Sequence, residues 1–386
     1  MTRQQRGRWA VAAMFLANGF IMGAWAPQIP LLLPRHGIGE STVGLLILVL
    51  GLGALASMTF CGRLITRHGS RPVLRVFAVL AVPVLPLVIL APGLLTLAPA
   101  MFIFGAMLGC MDVAMNANAV EVESRLGRAI MSSSHGFWSL GGFAGSALGG
   151  LLIAQWGPEA QALAVAALLA VIVTGAAPFL DAAPGAAKPA EMHSHRLLPR
   201  DPLIWAVGGL ALLCMLAEGG IMDWAALYLM QQQGADVAQA GLGFACFAGA
   251  MAIMRFAGDG LRNRFGAVRT LRISTLIAAA GLLTAALAPS LWVALPAFAL
   301  AGLGLANTVP IMFSAAGNHP GLSAGAALST VTMIGYSGIL IGPSGIGFVA
   351  EHAGFRWTYA ALALALLLVT AFAPLARAAE RPSDRA

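Results

Sequence analysis

Residues 16–22 read LANGFIM and residues 216–222 read LAEGGIM, so five of seven positions recur two hundred residues apart inside long apolar stretches. A Trp follows each copy, at Trp25 and Trp224. The polar difference between the copies is Asn18 against Glu218. Such self-similarity indicates that one structural unit occurs twice in the chain. In membrane proteins, repeated units typically pack about an axis along the membrane normal, with the substrate site between them.

The composition is that of a membrane protein, because 59% of the 386 residues are hydrophobic and 10% are charged. A soluble domain carries about 25% charged residues. Crossing about 30 Å of hydrocarbon takes about 20 apolar residues, and twelve such runs lie between Trp9 and Leu375. The prediction is an all-α membrane protein with twelve transmembrane helices in two six-helix bundles. Residues 1–180 form the first bundle, 181–202 a cytoplasmic linker rich in Ala and Pro, and 203–386 the second bundle.

The basic residues predict the orientation. With twelve crossings, nineteen of the 22 Lys and Arg residues fall on the face that carries both termini. Arg35 and Arg356 fall on the other face, and Arg255 lies within a span. This asymmetry is typical of cytoplasmic loops, so both termini are expected in the cytoplasm of a bacterial inner membrane. The pI of about 10.0 then reflects contact with anionic lipid headgroups, and no nucleic-acid partner is expected.

The sequence lacks the residue patterns of several classes of protein. The four cysteines lie in or beside spans at unrelated spacings, which indicates neither a disulfide framework nor a metal cluster. No phosphate-binding loop of the GxxxxGK[ST] type occurs, so ATP is not expected to drive the protein. Neither a nucleophile with a base nor a His and Asp cluster is visible, and the loops leave no room for a catalytic domain. We therefore expect no enzyme, no cofactor and no metal.

A second repeat lies after spans 2 and 8, where positions 64, 67, 69, 74 and 75 match those 197 residues later. The first copy, GRLITRHGSR at 62–71, resembles the signature between helices two and three of the major facilitator superfamily. Thr66 stands where that signature has an acid. The segments DVAMNA at 112–117, HGFWSLGG at 135–142 and EGGIMDW at 218–224 are similar to the bacterial YbjJ-like branch.

The resemblance implies a monomeric secondary transporter that moves a small molecule by alternating access, with H⁺ as the coupled ion. The glycines of span 5 resemble the antiporter motif of the superfamily, which favours efflux, although Ser146 stands where the motif has Pro. Uptake by a symporter or facilitator for a sugar-like or other polar metabolite is the alternative. A non-transporting membrane sensor is a third hypothesis, and it lacks an output domain.

The repeated basic turns are expected to form a latch at one end of the gate between the bundles. Glycine allows the chain to reverse with a positive φ, and arginines beside helix ends bind exposed carbonyls. Arg255 and Asp259 are one helical turn apart, the spacing of an ion pair, although Arg255 is equally suited to receive an anionic group. The alternative is that these arginines only determine topology. The latch candidates are Gly62, Arg67, Gly69, Arg71, Arg255, Asp259, Arg264 and Gly266.

Ionisable residues inside a bilayer are costly and are functional candidates by default. Asp112 in span 4 and Glu218 in span 7 lie at depth, and Asp112 shares a helical face with Asn116. Desolvation favours the neutral carboxyl, so such a group can exchange a proton near neutral pH. A structural hydrogen bond from Asn116 is the alternative role for Asp112. The proton-coupling candidates are Asp112, Glu218, Asp223 and His135, and the substrate-cavity candidates are Asn18, Trp25, Asn116, Trp138, Trp224, Asn307 and Tyr336.

Overall fold

The computed structural model describes residues 2–127, 130–181, 201–319 and 324–380, with the side chains at positions 59, 258–263 and 324–326 outside the description. Most of the predicted linker, 182–200, therefore lies outside the described residues. The described chain is helical. Its helices are α1 Arg3–Trp25, α2 Ile29–His36, α3 Glu40–His68, α4 Ser70–Ala81, α5 Val84–Ile89, α6 Leu94–Leu126, α7 Met131–Ala176, α8 Pro202–Gln233, α9 Val237–Phe265, α10 Ala267–Ala286, α11 Leu291–Leu305, α12 Thr308–Gly317, α13 Ala324–Ala353 and α14 Phe355–Phe372.

Eleven continuous helical segments in the described residues are long and apolar enough to cross a membrane, and one of them contains two crossings. The segment Met131–Phe179 has 49 residues, about 70 Å at 1.5 Å per residue, twice the thickness of the hydrocarbon core. The break lies at Gly157, whose φ of 85° reverses the chain before Pro158. The predicted number of twelve spans is thereby reached.

Three of the spans are interrupted rather than continuous. Span 1 passes from α1 to α2 through a 3₁₀ turn at Ala26–Gln28, and span 3 is divided into α4 and α5 at Pro83. Span 10 is divided into α11 and α12 by a turn at 306–307. Non-helical backbone at membrane depth is tolerated where protein buries it or where it lines a wet cavity. The breaks in spans 1 and 10 fit this rule, since residues 26–28 are buried and 306–307 are buried or half-buried, whereas Pro83 is exposed.

Small residues bring the helices into backbone contact. A side-chain carbon at Gly141 or Gly145 of α7 would overlap the backbone oxygens of Leu16 or Phe20 on α1. The spacing of four residues predicts such an approach, because it places both glycines on one helix face. The tight turns between spans are also as predicted, since Gly69 and Gly266 have φ values of 84° and 78°.

Alternating crossings assign each helix end to one of two faces. We call the face at which α1, α8 and α13 begin the N-terminal face, and the face at which α3, α6 and α9 begin the opposite face. The first and second halves of the chain contact each other chiefly through two helix pairs, α3 with α13 and α7 with α9. Any polar site between the halves therefore lies among these four helices, α6 and α8.

Candidate functional site

The central ionic contact of the described interior joins two helices of the second half. Arg255 of α9 places Nη2 3.5 Å from Oε1 of Glu218 on α8. The side chains are 16% and 20% exposed, respectively, so both are largely buried yet reach open space. Glu218 lies about 24 Å along α8 from the N-terminal face, which places the pair near mid-depth. The structure thus brings together one proton-coupling candidate and one latch candidate.

Arg255 also connects the two halves of the chain. Its Nη1 donates to the Ser139 hydroxyl of α7 at 2.6 Å and to the backbone oxygen of His135 at 3.5 Å. In return, the Ser132 hydroxyl donates to the backbone oxygen of Arg255 at 2.9 Å. The partner predicted from helical spacing was Asp259, whose side chain lies outside the described residues. The pairing with Asp259 therefore stays a prediction, and the described partners of Arg255 come from α7 and α8.

A second carboxyl group faces the same region from the first half. Asn116 donates from Nδ2 to the backbone oxygen of Asp112 at 2.9 Å and to its Oδ1 at 3.3 Å. The structural hydrogen bond considered for Asp112 is therefore present. Tyr336 of α13 is 38% exposed and lies near both Asp112 and Glu218. One carboxyl group from each half is thus found near the same phenol ring.

The break in span 10 lies beside α8. Asn307 occupies the turn, and its Nδ2 atom is buried without a hydrogen-bond partner among the described residues. The next residue, Thr308, lies beside Cys214, one helical turn before Glu218, and its hydroxyl donates to the backbone oxygen of Leu305 at 2.8 Å. This arrangement places the interrupted backbone of span 10 next to the helix that carries Glu218.

Other predicted cavity residues are packed between helices. Asn18 is buried and accepts a hydrogen bond from Trp138 Nε1 at 2.9 Å, which ties α1 to α7. Trp25 and Trp224 are 1% and 0% exposed. Their indole N–H groups have no partner in the described chain. Their roles in substrate binding stay predictions.

The remaining proton-coupling candidates lie apart from the Glu218–Arg255 pair or touch it indirectly. Asp223 is 3% exposed, and no described basic side chain forms an ion pair with it. Its neighbourhood includes the ring of Tyr359 on α14. His135 packs edge-on against Phe15 with ring centroids 5.1 Å apart, while its backbone oxygen faces Arg255.

Polar contacts that sequence analysis missed join the two halves at the opposite face. The Ser41 backbone N–H, at the start of α3, donates to Oε2 of Glu351 on α13 at 2.7 Å. Gln231 of α8 donates to Oε1 of Glu40 on α3 at 2.6 Å. A side-chain carbon at Gly44 would lie 2.8 Å from the backbone of α13. The partners are up to 310 residues apart in sequence, so no local pattern marks them.

At the N-terminal face, the latch candidates Gly62, Arg67 and Arg264 are exposed around the basic turns. Their latch role stays a prediction. A buried carboxylate that sequence analysis did not single out organises this face. Asp181 forms ion pairs with Arg125 at 2.6 Å and Arg3 at 3.1 Å. It lies at the first position of the predicted linker, where a polar residue carries no distinguishing signal.

The region around the Glu218–Arg255 pair offers two carboxyls, one guanidinium, one phenol and amide groups. These are groups that hydrogen-bond or pair with polar molecules. The described residues contain no group of three or more His, Cys, Asp and Glu side chains that could hold a metal ion.

Comparisons with known proteins agree with this architecture. The Major Facilitator Superfamily model matches residues 11–343 and 207–386. An uncharacterised MFS-type transporter of Yersinia pestis is 37% identical over 366 residues, which cover 94% of this chain and 93% of that protein. The membrane protein MosC of Rhizobium meliloti is 33% identical over 350 residues, covering 89% and 84%. None of these matches tests the YbjJ-like branch, which stays a prediction.

Solved structures share the fold. A point mutant of the nucleoside transporter NupG superposes with a TM-score of 0.75 at 13% identity and covers 96% of this chain and 99% of its own. The D-xylose–proton symporter gives 0.72 at 15% identity, covering 96% and 97%. The family match and the MFS-type relative indicate a transporter rather than an enzyme. On the family match and the curated relatives together, the chain belongs to the major facilitator superfamily.

Proposed function

We propose that this protein is an H⁺-coupled secondary active transporter that moves a small polar molecule by alternating access, with Glu218 as the proton carrier. The observation that carries the proposal is the contact between Glu218 and Arg255, since Arg255 also bonds α7 of the first half. A proton on Glu218 removes the charge that holds Arg255. Proton binding therefore acts directly on a contact between the two halves.

The two bundles, 1–180 and 203–386, are the moving bodies of this proposal, joined by the linker 181–202. Closure at the opposite face, through Glu40 with Gln231 and Ser41 with Glu351, supports a state in which the central site is reached from the N-terminal face. The distribution of arginines supports a cytoplasmic N-terminal face in a bacterial inner membrane. We propose a monomer, because each half supplies part of the site.

Two features of the protein favour opposite directions of transport. The glycine pattern of α7 favours efflux, and Ser146 in that pattern donates to the backbone oxygen of Gly241 on α9 at 2.7 Å. The Glu218–Arg255 pair favours uptake by symport. A proton on Glu218 frees Arg255, and a substrate can then take the place of Glu218 on Arg255, so proton and substrate bind at the same time. Symport of a polar metabolite is therefore the second candidate, and the D-xylose–proton symporter shares its fold.

Transport in proteoliposomes tests the proton role. A compound that raises the melting temperature of the purified protein serves as the substrate. Glu218→Gln keeps the shape and hydrogen bonding of the site but removes its titration. We expect ligand exchange to survive and accumulation driven by a pH gradient to disappear.

Glu159→Gln is the matched control, because Glu159 pairs with Arg35 on the exposed opposite face, within the first half. This variant should transport normally. Full gradient-driven accumulation in both Glu218→Gln and Asp112→Asn would contradict the proposal, and His135 would then be the next candidate.

A further inference from the structure

The ion pair between Arg255 and Glu218 is longer than the charge-assisted hydrogen bonds that usually hold a buried guanidinium. Glu218 makes one N–O contact at 3.5 Å, whereas charge-assisted hydrogen bonds are about 2.7–2.9 Å long and Arg–carboxylate pairs are often bidentate. The other described acceptors, the Ser139 hydroxyl and the His135 backbone oxygen, are neutral. A guanidinium has five N–H donors, so Arg255 retains capacity for a further acceptor.

From this geometry we infer that the substrate is a small organic anion, a carboxylate or a phosphate monoester, which binds Arg255 when Glu218 is protonated. The inference rests on the proposed function, because it uses the proton on Glu218. It specifies the chemical class that the site selects, which the fold alone does not.

Charge balance is the first reason. Arg255 stays charged at every physiological pH, so protonation of Glu218 leaves this largely buried cation without a charged partner among the described side chains. Among the side chains that the structure describes, Glu218 is the one carboxylate within ion-pair distance of Arg255. An anionic ligand restores neutrality, and a neutral or cationic ligand does not. The carboxylate or phosphate geometry also matches the fork of the guanidinium.

Access is the second reason. Arg255 and Glu218 both retain exposure, and Tyr336, which lies near Glu218, is 38% exposed, so these groups border open space rather than a sealed core. A ligand can therefore reach Arg255 from this space. Arg255 is also hydrogen-bonded to Ser139 of α7. An anion bound to Arg255 therefore couples ligand binding to the contact between the two halves.

Proton and anion then bind cooperatively. At high pH, the ionised Glu218 competes with the anion for Arg255, and at low pH it releases Arg255. Anion affinity should therefore rise as the pH falls. This sign is characteristic of symport, since an antiporter requires proton and substrate to exclude each other.

The test is thermal stability of the purified protein at pH 6 and pH 8. The probes are anions paired with neutral counterparts: gluconate with glucitol, glycerol 3-phosphate with glycerol, and benzoate with benzyl alcohol. We expect an anion to raise the melting temperature by several degrees, more at pH 6 than at pH 8, while its neutral counterpart has no effect. In Glu218→Gln, the anion effect should persist and lose its pH dependence.

Arg255→Gln should weaken the apparent affinity for that anion about thirtyfold or more. Arg255→Lys keeps the charge but not the planar fork, so its affinity for the anion should lie between those of the parent protein and Arg255→Gln. If Arg255→Gln does not fold, the affinity of Arg255→Lys tests the inference. Arg35→Gln, which removes the arginine of the exposed pair with Glu159, is the control. The inference is overturned if no anion stabilises more than its neutral counterpart, or if the effect survives in both Arg255 variants.

These outcomes separate the inference from the proposed function. Anion binding that depends on Arg255, together with gradient-driven transport that survives Glu218→Gln, retains the substrate class and rejects the proton carrier. Neutral ligands that accumulate in a Glu218-dependent manner retain the proton carrier and reject the anion.

Discussion

The contact between Glu218 and Arg255 makes a quantitative prediction for stability. At 3.5 Å and an effective dielectric constant of about 20, the Coulomb attraction is about 5 kcal/mol, and the desolvation of both groups offsets part of it. We expect Glu218→Gln to destabilise by about 3 kcal/mol, because it leaves a cation that cannot discharge. Arg255→Gln should cost less, because the remaining carboxyl can neutralise itself by taking a proton.

The assay is a double-mutant cycle, with unfolding followed in mixed micelles of mild detergent and dodecyl sulfate. The double variant should cost less than the sum of the single variants by about 2 kcal/mol, within the range found for contacting residues. The cost of Arg255→Gln should also shrink as the pH falls, since Glu218 then becomes neutral in the folded state without penalty. Additivity within about 0.5 kcal/mol would refute the pairing and the mechanism built on it.

Three further predictions concern gating, packing and topology. Glu351→Ala removes the carboxylate of α13 that accepts a hydrogen bond from the start of α3. The opposite face should then open more often, and maleimide should label Ser344→Cys faster. Glu159→Ala is its control, and equal rates would contradict a gating role. Gly145→Val should abolish folded protein by overlapping α1, whereas Gly175→Ala, with no atom within 4 Å, should fold at least as well as the parent. Reporter fusions at Pro189 and the C-terminus should report cytoplasm and one at Asp236 periplasm, and an odd number of spans would contradict the repeat.

Much of the fold could be predicted because its determinants are local in sequence. Hydrophobic run length gives the number of spans, and Gly69 and Gly266 mark turns whose positive φ the structure confirms. Gly141 and Gly145 mark a close helix contact for the same reason, since their spacing defines one face of a helix. Even the break at Gly157 follows from the need to end one span and begin the next.

The site was less predictable because its contacts join distant segments. Helical spacing predicts only partners about one turn from Arg255, whereas the described contacts lie 37 residues away at Glu218 and 116 away at Ser139. Such pairs depend on how α7, α8 and α9 pack, which periodicity does not specify. Depth in the membrane, by contrast, follows from position within a hydrophobic run, so the sequence alone marks Asp112 and Glu218 as candidates.

Helix α8 links the Glu218–Arg255 pair to the opposite face. It carries Glu218 near mid-depth and Gln231 about 20 Å further along, where Gln231 binds Glu40 of the first half. Trp224 lies between them, fully buried beside Gly347 of α13. A helix packed this tightly transmits displacement rather than bending, because close-packed interiors have little free volume. A change at Arg255 that tilts α8 therefore alters the contact between Gln231 and Glu40 as well. In the proposed mechanism, one protonation of Glu218 thus affects contacts both at mid-depth and at the opposite face.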